Sequence, residues 1–222
     1  ILTKNEEAKL LDAMAMKEYG IPEMVLMENA GASVVRLTEP FVDWDDAFTV
    51  ILCGTGNNGG DGFVAARYAA GLGAKVLVLL MGNEAHMSES SKLYRHTAEK
   101  MGIPVIPVSK AEEGAPYIHE ADILVDALIG TGLSSEVKGK KAALIGLVNE
   151  AWGIIISVDV PSGMMTDTGR AAGVVVDADY TVALGSIKRG HVLYPGSSYT
   201  GRLLYSPIGI PKEARLDFPV HL

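Results

Sequence analysis

Thr49-Val50-Ile51-Leu52-Cys53-Gly54-Thr55-Gly56-Asn57-Asn58-Gly59-Gly60-Asp61-Gly62 is the stretch that decides the fold. Its first five residues are apolar or β-branched, as in a strand buried on both faces. Five glycines among the next nine residues lead into a helix expected over 63–72. Strand, glycine-rich loop and helix make the opening unit of a parallel sheet. Gly54, Gly56 and Gly59 match a G-x-G-x-x-G pattern, in which backbone N–H groups approach phosphate at a helix N-terminus. A tight turn alone would need one or two glycines. The two Asn, the additional Gly and Asp61 depart from the dehydrogenase form of this pattern. No Lys-Ser/Thr pair follows, so this is not the phosphate loop of a nucleoside-triphosphatase.

Upstream, Thr3 and Glu6 form a possible capping box for a first helix carrying Leu10, Leu11, Met14 and Tyr19. Pro22 suits the first turn of a second helix with Val25, Leu26, Ala30, Val34 and Val35 on its apolar side. Downstream, strands are expected at 75–81, 105–108, 122–127, 153–160, 180–184 and 202–205, separated in part by amphipathic stretches. The expected architecture is α/β: a Rossmann-like three-layer sandwich with a central, mostly parallel sheet and two N-terminal helices. One domain over 1–211 is expected, with 212–222 a tail or truncated linker.

The composition agrees. Apolar residues make up 48% of the 222 and charged residues 21%, which excludes a disordered chain. The net charge of -8 and the scattered Lys and Arg argue against nucleic acid as a partner. The longest apolar run is strand-sized, so no membrane partner is expected, and the charged start is no signal peptide. A cytoplasmic location is therefore expected. A single cysteine, Cys53, excludes an internal disulfide framework and reads as core. The sequence does not begin with Met, as expected of a chain trimmed or cut from a longer protein.

In open α/β sheets ligands bind where loops leave the carboxyl ends of strands. Three such loops combine glycines with small oxygen-bearing side chains: the one already quoted, Asp126-Ala127-Leu128-Ile129-Gly130-Thr131-Gly132, and Asp159-Val160-Pro161-Ser162-Gly163. Asn58, Asp126 and Ser162, one on each, could enclose a hard cation, and a single carboxylate suits a monovalent ion such as potassium. Each could equally cap a turn or a helix. Asp61, Asp126 and Asp159 are the candidate acid–base carboxylates. Asp126 and Asp159 end buried strands, where desolvation raises a carboxyl pKa, and a structural hydrogen bond is the alternative for both. The five histidines show no metal-ligand spacing and read as surface residues. Lys188 and Arg189 read as a solvated loop that could meet a phosphate.

With Met27-Glu28-Asn29-Ala30-Gly31, Val158-Asp159-Val160-Pro161-Ser162-Gly163 and Gly209-Ile210-Pro211, these motifs occur in an order that resembles the NAD(P)H-hydrate epimerase family. The resemblance runs from Thr3 to about Pro211. It implies epimerisation of the R and S forms of hydrated NADH and NADPH, in repair of nicotinamide cofactors. It further implies that Asn57, Asn58, Gly59, Gly60, Asp61, Gly130, Thr131, Gly132, Leu133, Ser134, Ser135, Glu136 and Asp159 contact the hydrated dinucleotide. Potassium, one ion per subunit, would be held by Asn58, Asp126 and Ser162. Ser134-Ser135-Glu136-Val137 departs from the commoner Gly- or Arg-bearing stretch. Asp126 is the first choice as proton donor and acceptor, and Asp159 the second. A homodimer is expected, and a fused or separate ADP- or ATP-dependent dehydratase is a possible partner. Two other classes compete: a non-catalytic dinucleotide- or protein-binding domain, and a Rossmann dehydrogenase with Glu84 on the ribose.

Overall fold

The chain opens with a two-residue strand β1 (Leu2–Thr3), followed by α1 (Asn5–Lys17) and α2 (Glu23–Thr38), in the computed structural model, which describes residues 2–215. Alternating elements follow: β2 (Phe48–Cys53), α3 (Asn57–Gly71), β3 (Lys75–Met81), α4 (Glu89–Lys100) and β4 (Val105–Val108). A short α5 (Ala115–Glu120) precedes β5 (Ile123–Ala127), α6 (Gly139–Asn149), β6 (Ile154–Val158) and β7 (Tyr180–Leu184). A two-residue β8 (Ile187–Lys188), the single turns α7 (Arg189–Val192) and α8 (Gly196–Tyr199), and β9 (Arg202–Ser206) complete the order.

Seven strands pair in the order β4-β3-β2-β5-β6-β7-β9, every pair parallel. Alternation along each strand sends side chains to two separate cores. In β2, Ile51 and Cys53 join Leu26, Val34 and Phe63 beneath α2 and α3. Val50 and Leu52 join Ile118, Leu144 and Ile145 beneath α5 and α6. Helices thus cover both faces, as the expected sandwich requires.

Several boundaries depart from expectation. Thr3 does not cap α1. It pairs with Lys188 in the β1–β8 ladder, and its hydroxyl meets Ser186 Oγ at 2.8 Å, while Glu7 accepts from the Lys4 N–H at 2.7 Å. Pro22 stands at the N-cap of α2 rather than inside its first turn. α3 begins at Asn57, six residues before the expected start at Phe63. β6 stops at Val158 because Asp159 takes a left-handed φ of 65°, which a strand cannot contain. Ala214 is fully buried, so the packed body extends past the boundary expected at 211; the remainder of the expected tail, 216–222, lies outside the described residues.

Candidate active site

From β2 the chain moves outward through β3 to β4, then returns to place β5 on the other side of β2. That reversal opens a crevice at the carboxyl ends of β2 and β5, where ligands of open α/β sheets bind. A cavity of about 480 Å³ lies there. Leu11 and Asp12 of α1 and Met27 of α2 line it, together with Asn58, Gly130 and Asp159 from the three loops named above.

The glycines are there for close approach. A Cβ on Gly54 would lie 2.1 Å from the Leu128 carbonyl oxygen, and one on Gly59 would lie 2.0 Å from that of Gly54. Neither has a positive φ, so a turn does not explain them. The N-cap of α3 is Gly56, which offers no side-chain cap, so the N–H groups of the first turn stay available to an anion. Asn57 Nδ2 donates to Glu23 Oε1 at 3.0 Å, tying α3 to α2 beside this end.

Asp126 is the penultimate residue of β5 and has no exposed surface. Its Oδ2 accepts from Ser157 Oγ at 2.9 Å and the Ser162 N–H at 2.8 Å; its Oδ1 accepts from Ser162 Oγ at 2.5 Å and the Leu128 N–H at 3.3 Å. Burial raises its pKa, and these four bonds pull against that rise. Asp126 does not line the cavity. The first choice of acid–base group therefore lies behind the cavity wall, enclosed by Ser157 and Ser162.

The structure does bring the three candidate cation ligands together in part. Ser162 Oγ bonds Asp126 and also accepts from the Ile129 N–H at 2.8 Å, and the next residue, Gly130, packs against the Asn58 side chain. Asn58 Nδ2 is buried without a hydrogen-bond partner among the described residues. A half-turn of the amide exchanges that nitrogen for an oxygen acceptor. Two neutral oxygens, one carboxylate and nearby loop carbonyls are a donor set that fits a monovalent hard cation.

Asp159 does face the cavity, and its partners overturn two expectations. Lys188, read as solvated, is 2% exposed; its ammonium pairs with Asp159 Oδ1 and donates to the Leu184 carbonyl at 2.7 Å. His191, read as a surface residue, is also buried. Its Nδ1 accepts from the Lys188 N–H at 3.1 Å, which leaves Nε2–H to donate to the Asp159 carbonyl at 2.9 Å. Burial, reinforced by Lys188, lowers the His191 pKa to about 4. Asp12, which sequence reasoning missed, has its pKa raised to about 6, chiefly by burial. Asp61 is also raised well above the carboxylate range, by burial first and then by Asp159 and Asp12. No local pattern marks Asp12 or Lys188. The first reads as a polar position of an amphipathic helix, and only the β1–β8 pairing folds the second inward.

Of the run 130–136, Gly130, Thr131 and Gly132 line the cavity. Leu133 packs against the sheet, Ser134 and Ser135 are exposed, and Glu136 pairs with Lys138 at 2.8 Å. Gly59 and Gly60 are buried in the first turn of α3, while Asp61 joins the cavity wall. Glu28 and Asn29 serve the architecture: Glu28 binds Arg67 and Tyr68, and Asn29 donates to the Ile208 carbonyl.

Fold and site together define a Rossmann-like α/β protein whose ligand cleft lies at the reversal of strand order, with a helix N-terminus on one side and an ion pair within. A family model described as YjeF-related protein N-terminus matches residues 23–190, and the chain belongs to that family. It is 41% identical over 213 residues to the bifunctional NAD(P)H-hydrate repair enzyme Nnr of Thermofilum pendens, covering 95% of this chain and 40% of that protein. It is 34% identical over 210 residues to the NAD(P)H-hydrate epimerase of Rhodopirellula baltica, covering 95% of this chain and 85% of that one. The chain thus spans about two-fifths of the bifunctional relative and most of the epimerase. A yeast protein of known structure, YNL200c, shares the fold, with a TM-score of 0.84 at 22% identity over 98% of this chain and 94% of that one.

Proposed function

We propose that this chain is an isomerase that interconverts the R and S forms of hydrated NADH and NADPH. The carrying observation is the Asp159–Lys188 ion pair inside a crevice whose rim is the uncapped N-terminus of α3. Curated relatives named NAD(P)H-hydrate epimerase, 34–37% identical over most of both chains, support it.

Hydration leaves a hydroxyl on a ring carbon bonded to the nicotinamide nitrogen. Inversion there breaks the C–O bond as the hydroxyl takes up a proton and departs as water, leaving a planar iminium. Water then adds from the other face and gives up a proton. No electron is transferred, so no redox partner is needed. The first-turn amides of α3, with Asn57 and Asp61 beside them, would hold the pyrophosphate region by backbone N–H groups and the helix dipole. Gly130, Thr131 and Gly132 would bring backbone close to the ligand on the facing loop. Asp159 stands at the reacting ring: its carboxylate stabilises the iminium and exchanges a proton with the water. Lys188 and His191 position it, one by the ion pair and one by holding the Asp159 carbonyl.

Asn58, Asp126 and Ser162 would hold a potassium ion, which would supply positive charge and tie α3, β5 and the loop after β6 to one another. Leu133, Ser134, Ser135 and Glu136 would meet ligand only where it extends beyond the cavity. The dehydrogenase alternative lacks its ribose ligand at the cavity, whose lining does not include Glu84. The working form is proposed as a homodimer in the cytoplasm, and the dehydratase of a bifunctional relative would consume one epimer.

The test is direct. Purified protein mixed with one separated epimer of hydrated NADH should bring it to the R/S equilibrium faster than buffer does, as followed by chromatography or NMR. Folded protein that leaves the spontaneous rate unchanged would remove the assignment.

A further inference from the structure

Inversion of a carbon centre needs a proton delivered on the face where hydroxyl leaves and a proton removed on the face where water arrives. Asp159 is one carboxylate at the cavity. A second is Asp12, on α1. A Cβ placed on Gly185 would lie 3.7 Å from Asp12 Oδ1, so the carboxylate reaches the 184–188 turn through the space that this glycine leaves open. The same turn carries the other partners. The Leu184 N–H donates to Asp159 Oδ1 at 3.0 Å, and its carbonyl accepts from Lys188 Nζ at 2.7 Å. Two carboxylates from different elements therefore face one cavity, and one of them, Asp159, is paired with the Lys188 ammonium.

We propose that Asp12 is the second catalytic carboxyl of the epimerisation, sharing a single proton with Asp159, so that whichever carboxyl is protonated expels the hydroxyl while the other receives water's proton. The proposal rests on the epimerase reading. The balance closes. In one direction Asp12 gives its proton to the departing hydroxyl, the C–O bond breaks with both electrons leaving on oxygen, and water re-adds as its proton passes to Asp159. The reverse direction starts from the proton on Asp159. Either way one water leaves, one enters, and one proton crosses the pair.

The electrostatics suit that role. Asp12 titrates near 6 because burial and Asp159 raise it while Lys188 restrains the rise. A group near neutrality both gives and takes a proton readily. Asp61 is also raised, by burial first and then by Asp159 and Asp12. The other charged groups on the cavity wall are Lys9 of the same helix, Glu23 of α2, Lys141 of α6 and the Asp159–Lys188 pair. Glu213 lies exposed on the short turn packed against α1.

The experiment measures epimerisation of hydrated NADH in both directions by the parent, Asp12→Asn, Asp12→Glu and Asp61→Asn, from pH 5 to 9, with the spontaneous rate subtracted. With Asp12 as the proton donor, kcat/KM falls as pH rises through about 6, where Asp12 loses its proton. Asp12→Asn should lose about 10²–10⁴ in kcat with little change in KM, and lose the alkaline limb. Asp12→Glu should restore part of the rate and that limb, whereas Asp61→Asn should act mainly on KM. Full kcat in folded Asp12→Asn overturns the proposal, as does a parent profile flat from pH 5.5 to 8.5. The parent profile decides even if Asp12→Asn does not fold. A folded parent with no activity overturns the function itself, a different failure.

Discussion

At the residue scale, Asp126 and Asp159 look alike in sequence, each closing an apolar strand of a parallel sheet. Their surroundings separate them. Asp126 spends its acceptor capacity on two serine hydroxyls and two backbone N–H groups and has no exposed surface. Asp159 faces the cavity from a left-handed backbone conformation that costs on the order of 1–3 kcal/mol for a residue other than glycine. The ion pair with Lys188 and the bond from His191 to its carbonyl hold it there. The two Asn variants should therefore differ in kind. Asp159→Asn should reduce kcat about 10²–10⁴-fold while the protein stays folded. Asp126→Asn puts an NH₂ where Oδ1 or Oδ2 accepts and should destabilise by about 1–3 kcal/mol, the cost of an unsatisfied buried group. Urea unfolding and turnover on the same samples check both. An Asp126→Asn protein of parent stability but no turnover would return the acid–base role to Asp126.

Elements place these residues, and at that scale the sequence was legible wherever a pattern repeats. β3, β4 and β7 fall on the expected residues, β3 and β7 because apolar, β-branched runs suit strands buried on both faces. The start of α3 was hidden because Asn, Gly and Asp are poor helix formers, and the packing of Gly59 and Gly62 against β2 and its loop overrides that propensity. β1 and β8 have two residues each and leave no periodicity to read, yet their pairing carries Lys188 into the site. The segments after β2, β5 and β6 are legible as glycine-rich and oxygen-bearing, and the fold brings Asp126 and Ser162 into contact, with Gly130 against Asn58. That Asp126 faces inward and Asp159 outward depends on one left-handed φ, which an aspartate does not advertise. Because Asn58 lies in the first turn of α3, Asp126 in β5 and Ser162 in the loop after β6, an ion bound among them should tie three segments at once. Potassium should then raise the melting temperature progressively with concentration, since an ion that binds only the folded state stabilises by mass action. Sodium and a bulky organic cation at equal ionic strength should do less. Equal shifts with all three would leave only screening and remove the ion site.

Across the whole molecule, two site residues give folding stability opposite pH dependences. His191 is held neutral, with Nδ1 accepting from the Lys188 N–H and Nε2–H donating to the Asp159 carbonyl. Its folded pKa of about 4 lies below the ordinary 6.5. Between those values the unfolded chain binds more protons, so the stability present above 6.5 is lost as pH falls towards 4, at up to about 1.4 kcal/mol per pH unit. Asp12 runs the other way. Its folded pKa of about 6 lies above the ordinary 3.8, so the folded chain holds more protons between them. Stability then declines as pH rises from 3.8 towards 6 and is not recovered above it. Over most of the range from 4 to 6 the two contributions oppose each other, and each is visible only as a difference between a variant and its parent at the same pH. Relative to the parent, Asp12→Asn should gain stability as pH rises from 4 to 7, the usual sign that an active site keeps a group the fold would rather discard. Relative to the parent, His191→Gln should gain stability as pH falls from 6.5 to 4, because it removes the proton that the unfolded chain would bind. Urea midpoints at four or five pH values per variant measure both slopes. Parallel curves for parent and His191→Gln would mean that the imidazole is free to charge in the folded protein, and that its hold on the Asp159 carbonyl is not what fixes the carboxylate at the cavity.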